Sequence, residues 1–446
     1  MAPPRREISI LVRLAVPVVG TQVGVMLMGV VDTLMLAAVG AQALAAAALG
    51  NTWIWGTLIV ADGIVRGIDP IVSQAHGARE GGRAGLALQR GVVLALLVSV
   101  PLALLWLFTE EFLIATGQDP ELAALAHRYV QVQIPSIPCH TLYMALRCYL
   151  QGRGIMTPAL WVMLLANLGN VFANWVLIFG HLGAPALGVV GAGIATSLNR
   201  LLGAGALAAL TIGLRLHEGA WQPWSRQALS PAGLRRILGL GLPVGIQVGL
   251  EVWAFSIATL MAGNLGVYEL AGHQIVLNMA SLTFMVPLGI AIGASTRVGN
   301  LIGAGELHLV QRAAWSALAL GAGSMACFGT LMIALREQLP RLYTDDVQVI
   351  AVCAFLLPIA AAFQVFDGTQ VVGCGVLRGM GRTRAPALVT LFGYYAVALP
   401  FAWWLAFERE LGLAGIWWGL CLGLVLVASA LLVWVRASGS GERVEA

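Results

Sequence analysis

The chain contains no lysine, and only 10% of its 446 residues carry a charge, against roughly a quarter in soluble domains. So little charge cannot clothe a soluble globule of this size, whose surface must be largely polar. Disorder is excluded on the same count, because disordered segments are polar and highly charged. Cysteine is scarce. The six residues at positions 139, 148, 327, 353, 374 and 421 form no CxxC pair, so they read as small apolar filler rather than a zinc site or a disulfide framework. No P-loop GKS/T, HExxH or GxSxG is present, which leaves no ATP motor in the chain and no sign of an enzyme. What is abundant is apolar: 59% of residues are hydrophobic, mean hydropathy is +0.86, and there are 54 glycines. The apolar runs are long and continuous rather than short and alternating, so the fold is helical and polytopic and not a β-barrel. Glycine at this density suits membrane helices that approach closely.

Apolar stretches long enough to cross a bilayer fall at about 8–36, 44–72, 88–108, 127–150, 159–180, 187–213, 234–262, 271–297, 312–334, 348–374, 385–406 and 412–435. The first follows Arg5 and Arg6 but runs well beyond the core of a signal peptide, so it reads as a retained span. Twelve spans with a cytoplasmic N-terminus put twenty arginines, from Arg5 to Arg443, on the inner side. Four (Arg128, Arg336, Arg341 and Arg409) lie outside, and Arg200 lies within a span. That asymmetry fixes the expected orientation, with both termini inside.

The two halves echo each other. Pro17 and Pro243, Gly40 and Gly266, Gly67 and Gly293, and Glu80 and Glu306 are each 226 residues apart. Leu150-Gln-Gly152-Arg-Gly154 matches Leu377-Arg-Gly379-Met-Gly381 at 227, and Gly188 and Gly191 match Gly412 and Gly415 at 224. A repeat of six spans enters the membrane from the same side each time, so the repeat is parallel. The expectation is an all-α polytopic membrane protein with twelve transmembrane helices, arranged as two six-helix bundles around a central cavity. Residues 1–214 form the N-lobe, the polar stretch 215–233 a cytoplasmic linker, and residues 234–446 the C-lobe with a short cytoplasmic tail. This is a secondary-transporter architecture, driven by an ion gradient.

Ionisable side chains at membrane depth cost roughly 2.5–3.5 kcal/mol each on insertion scales and mark function by default. Asp32 lies far into the first span, with Asn170 and Asn174 one turn apart in the fifth and Thr196 in the sixth as possible polar companions. In the second half, Glu251 and Asp367 are the two carboxylates deep in spans. Two acids facing one cavity can share a proton or hold a monovalent cation. Gln274 and Asn278, one turn apart, would add neutral oxygens, while His273 reads as a helix-end residue near the outer face. Asp62, Arg66 and Asp69 are spaced four and three apart, which places them on one helical stripe as a structural ion-pair cluster or inner gate. Arg147 is explained by snorkelling. Trp417 is one of several tryptophans that fit an interfacial belt. Pro243 and Pro287 are candidate bending points.

At these residues the sequence resembles the multidrug and toxic compound extrusion (MATE) transporters, in particular the NorM-like branch. The matching stretches are VVDTLMLAAVG, GIDPIVSQAHGA, HQIVLNMASLTFMVPLGIAIGASTRVGNLIGAG and QVFDGTQVVGCGVLRGMGRT, distributed over both halves. The resemblance implies export of organic cations and hydrophobic drugs by alternating access, coupled to Na⁺ or H⁺, with no other cofactor. It implies that Glu251 and Asp367 form a cation site, with Gln274 and Asn278 nearby, and that Asp32, Asn170, Asn174 and Thr196 form a second, cation-binding or proton-coupling site. In relatives a tyrosine one turn before the span 10 aspartate can join the cation site; here that position is Phe363, which leaves proton coupling more open. The expected partners are small organic cations, drugs and the lipid bilayer of a bacterial plasma membrane. No nucleic acid is expected, and the chain is read as a monomer. The alternative within the same superfamily is a flippase for a lipid-linked substrate, which needs a basic rather than an acidic cavity.

Overall fold

The computed structural model describes residues 4–439, which contain helices and no strand. Arg443 and the expected tail lie outside the described residues, as does the side chain of Arg5. The long helices are α1 (Pro4–Ala37), α2 (Ala41–Val65) continued through a 3₁₀ turn into α3 (Asp69–Gly77), and α4 (Gly81–Leu107). After the short α5 (Thr109–Ala115) come α6 (Pro120–Gln131), α7 (Ile137–Gly152), α8 (Thr157–Phe179) and α9 (Gly188–Gly213). The second half holds α10 (Pro231–Gly263), α11 (Val267–Ala304), α12 (Leu307–Ala334), α13 (Val347–Gly379), α14 (Arg384–Leu391), α15 (Leu399–Trp403) and α16 (Gly412–Ala437). A π-helical stretch, Phe392–Ala398, joins α14 to α15, and a second, Trp404–Glu408, extends α15, so that one continuous span results.

Eleven helical stretches among the described residues are long and apolar enough to cross a membrane. They coincide with eleven of the twelve expected spans. The remaining one, 127–150, is split: α6 ends at Gln131, a 3₁₀ turn occupies Ile134–Ser136, and α7 begins at Ile137. Pro135 and Pro138 cause the break, since neither can donate the backbone bond that would carry an α-helix through.

The sequence repeat is repeated in the backbone. Gly40 and Gly266, 226 positions apart, cap α2 and α11 with φ/ψ of 142°/165° and 150°/172°. That region is open essentially to glycine alone, which is why the same residue recurs at both places.

The chain divides into two compact units whose borders do not follow its midpoint. One comprises α1 up to Val19, Gly77–Arg79, and the chain from Ile246 onward; the other comprises Gly20–His76 and Glu80–Gly245. Thus α1 and α10 each pass from one unit to the other, at repeat-related positions just after Pro17 and Pro243. The first unit is built on α11, α12, α13 and α16, with an aromatic centre. Phe363 stands edge-on to Trp417 at 5.5 Å and to Phe255 at 5.9 Å between ring centroids, a geometry that stabilises aromatic pairs. Trp417 is fully buried inside the unit rather than presented at its surface. The second unit packs Trp106, Tyr129, Ile54 and Leu58 into its core, and the Trp106 indole donates to Thr57 Oγ1 at 2.9 Å. The 215–233 stretch is held to this unit: Tyr149 donates to Ala220 O at 2.9 Å and Gln89 to Gln222 O at 3.0 Å.

Candidate cation sites

Glu251 sits in the middle of α10, eight residues after Pro243. Its Oε1 accepts two amide donors, Gln370 Nε2 at 2.8 Å from α13 and Gln247 Nε2 at 3.1 Å from one turn earlier in α10. Gln247 Nε2 also reaches Cys374 Sγ at 3.0 Å. No described residue donates to Oε2 of Glu251 or to the carboxylate of Asp367, which is half-buried on α13 and within electrostatic reach of Glu251. Half-buried carboxylates with free oxygens can take a proton or a small hard cation. Gln364, three residues before Asp367, donates to Thr283 Oγ1 at 2.6 Å and leaves its own Oε1 buried without a partner. Phe363 is packed in the aromatic centre and brings no hydroxyl to the carboxylates.

Gln274 and Asn278 are exposed on α11, and no hydrogen bond ties them to either carboxylate; Asn278 Oδ1 instead accepts from Tyr343 at 3.1 Å. Four contributors to this site escaped the sequence reading: Gln247, Cys374, Tyr394 and Tyr395. Gln247 carried a usable signal, because it lies four residues before Glu251 on the same helical face. The two tyrosines carried none; their role depends on the π-helical turn.

In the other unit Asp32 is half-buried on α1. Asn174 Nδ2 donates to Asp32 Oδ1 at 2.5 Å and to Asn170 Oδ1 at 3.2 Å, so α8 delivers both asparagines to the acid. Asn174 Oδ1 is buried with no donor among the described residues, a neutral oxygen suited to a cation. Thr196 spends its hydroxyl proton on Ala192 O, one turn back in α9.

Asp62, near the end of α2, pairs with His140 Nε2 of α7 at 3.0 Å and lies within electrostatic reach of Arg66. The helix tightens into a 3₁₀ turn at Arg66–Ile68, and Asp69 opens α3. Pro243 and Pro287 both lie inside long helices, α10 and α11. Arg147 does not snorkel: it is 4% exposed and donates to Gln22 Oε1 at 2.8 Å. Arg200 lies over the Trp106 ring at 6.0 Å and donates to Ser136 Oγ at 3.2 Å. His273 is not at a helix end near the surface but fully buried. Its Nδ1 accepts from Trp417 Nε1 at 3.2 Å, so its proton sits on Nε2, which faces Thr259 Oγ1 at 3.1 Å.

Comparison with known proteins gives one consistent result. The MatE family model matches the chain twice, over residues 17–176 and 243–404, at the spacing of the internal repeat. A probable multidrug resistance protein NorM of Rhodopseudomonas palustris is 36% identical over 434 residues, covering 96% of this chain and 91% of that protein. Multidrug resistance protein MdtK of Pectobacterium atrosepticum is 33% identical, over 95% of this chain and 94% of that protein. The crystal structure of the eukaryotic MATE transporter AtDTX14 superposes with a TM-score of 0.88 at 24% identity, over 97% of this chain and 96% of that one.

Proposed function

Because the chain belongs to the MatE family, whose bacterial relatives here are named multidrug resistance proteins, we propose that this integral membrane protein is a cation-coupled multidrug antiporter. It exports organic cations and hydrophobic drugs across a bacterial plasma membrane, with both termini in the cytoplasm. The observation that carries the reading is the Glu251–Asp367 arrangement: one carboxylate oxygen is tied by two amides, while the remaining carboxylate oxygens of the pair have no donor among the described residues. In the charged state the pair attracts a cationic guest. An entering proton or Na⁺ neutralises it, and the guest loses its electrostatic anchor. Coupling arises because ion and guest compete for the same negative charge, so each lowers the other's affinity. Asp32, with Asn170 and Asn174, provides a second acid of the same kind. The helices bearing Pro243 and Pro287 supply the bends that reorientation needs.

The test is gradient-driven efflux of a fluorescent organic cation from proteoliposomes, measured with and without Na⁺ at fixed pH, and across pH without Na⁺. Glu251→Gln with Asp367→Asn keeps the side-chain shapes and removes both charges; it abolishes gradient-driven efflux while the protein still inserts and folds. Efflux that survives both substitutions refutes the mechanism.

A further inference from the structure

Between α14 and α15 the chain widens into a π-helical turn, Phe392–Ala398. Its cause is local. Pro400, the second residue of α15, has no N–H to give the preceding turn. π-turns are rare and concentrate at functional positions. This one carries two consecutive tyrosines that reach different helices of the same unit. Tyr394 is fully buried, and its hydroxyl donates to Gln370 Oε1 of α13 at 3.4 Å. Tyr395 donates to the backbone carbonyl of Leu250, the residue before Glu251, at 3.1 Å.

We propose that this π-turn is a positioning device for the coupling ion: Tyr394 orients the Gln370 amide, Tyr395 anchors the backbone beside Glu251, and together they leave Glu251 Oε2 as the atom that takes the ion. The proposal rests on the reading of Glu251 as a coupling carboxylate. A glutamine amide has one accepting end and one donating end. With the tyrosine proton directed at Oε1, the Nε2 end must face away from Tyr394, and it is found 2.8 Å from Glu251 Oε1. Gln247 adds a second N–H to the same oxygen. Both donors therefore load Oε1, and Oε2 is the oxygen that stays open. The Glu251 carboxylate also favours this orientation, so the Tyr394 hydroxyl is the second of two anchors on the amide. Without it the Gln370 side chain is held at one end only, and its N–H loads Oε1 less firmly, which opens Oε1 to competition with Oε2.

The experiment measures the half-saturating concentration of the coupling ion, and separately that of the drug, in proteoliposome efflux. The proteins are the wild type, Tyr394→Phe, Tyr395→Phe, Gln370→Met, the Tyr394→Phe/Gln370→Met double variant, and Glu251→Gln. Loss of one hydrogen bond to a charged network predicts a weakening of ion half-saturation by about 3- to 10-fold in each tyrosine variant, with drug half-saturation unchanged. Gln370→Met weakens it at least as much, and the double variant is no worse than Gln370→Met alone, because Tyr394 acts through Gln370. A merely structural tyrosine would shift ion and drug together, and its effect would add to that of Gln370→Met; either result overturns the proposal, as does an unchanged ion half-saturation. Should Tyr394→Phe fail to fold, Gln370→Met and Tyr395→Phe decide the question by the same criteria. Glu251→Gln separates the two layers. If it retains ion-dependent efflux, the coupling reading falls and the proposal falls with it; if it is inactive while the other variants match wild type, only the positioning proposal falls.

Discussion

The ion pair between Glu7 and Arg297 offers a stability prediction with a definite sign. Arg297 on α11 clasps Glu7 in the first turns of α1 through two bonds, Nε to Oε2 at 3.0 Å and Nη2 to Oε1 at 2.8 Å. The Glu7 side chain is 2% exposed and that of Arg297 20%. Both belong to the unit that α1 leaves after Val19, so the pair pins the start of a helix whose other half packs elsewhere. Removing one member of such a pair strands a buried charge and costs roughly 3–5 kcal/mol, whereas replacing both members with apolar side chains of similar volume is often neutral or stabilising. Arg297→Met alone is therefore expected to lose about 3–5 kcal/mol. Glu7→Leu/Arg297→Met should return to within about 1 kcal/mol of wild type. The assay is SDS-titrated unfolding in mixed micelles, followed by fluorescence of the 14 tryptophans. Because Glu7, the charge left behind, is buried, added salt should change the single-variant deficit little. A deficit under about 1 kcal/mol for Arg297→Met, or a double variant as unstable as the single, would refute the reasoning: the pair would then be solvated like a surface contact.

Two further outcomes follow from the same structure. His273→Leu strips the Trp417 indole N–H of its acceptor in a fully buried site, and should lower stability by about 1–3 kcal/mol in the same unfolding assay; a loss under about 0.5 kcal/mol means that Trp417 has found another partner. Gly40→Ala and Gly266→Ala force a side chain into φ near 142° and 150°, at about 1–3 kcal/mol each. Thermal melting in detergent should show similar losses at the two positions, and a loss at one alone would mean that the repeat does not extend to these caps.

Much of the fold was legible because a bilayer imposes simple rules. Apolar length marks each span, and the helix ends fall within a few residues of the hydropathy edges. The acids were legible because charge in oil is rare: Asp32, Glu251 and Asp367 stand out from their surroundings without knowledge of any neighbour. The failures share one physical cause. Hydropathy reports depth along the membrane normal and not direction around the helix axis, and a span that is apolar on every side has no amphipathic face to read. Trp417, His273 and Arg147 all have polar or amphipathic side chains that suit an interface, and all three point into a core, each with a hydrogen-bond partner on another helix. Of the two amides on Glu251, Gln247 could be read from its spacing, whereas Gln370 lies 119 positions away in the chain, and its own partner Tyr394 becomes relevant only through a turn whose π-helical form depends on Pro400. The split of the fourth span is written in Pro135 and Pro138, which interrupt the helix without interrupting the apolar run.

The repeat sharpens what the acids do. At the 227-residue offset that aligns Leu150 with Leu377, Asp367 corresponds to His140 and Cys374 to Arg147. At 226, Glu251 corresponds to Val25 and Asp32 to Ala258. The scaffold was duplicated, but these four side chains were not. Where the unit from Ile246 onward has a neutral thiol beside Gln247 and Glu251, its counterpart has a buried guanidinium bonded to Gln22. A cation drawn to that level would meet Arg147, and the carboxylate of Asp62 is already paired with His140. The acid of that unit lies elsewhere, on α1, where two asparagines from α8 attend it. Symmetry therefore supplies matching capped helices in both halves, while the asymmetry of four side chains confines the paired-carboxylate site to one of them.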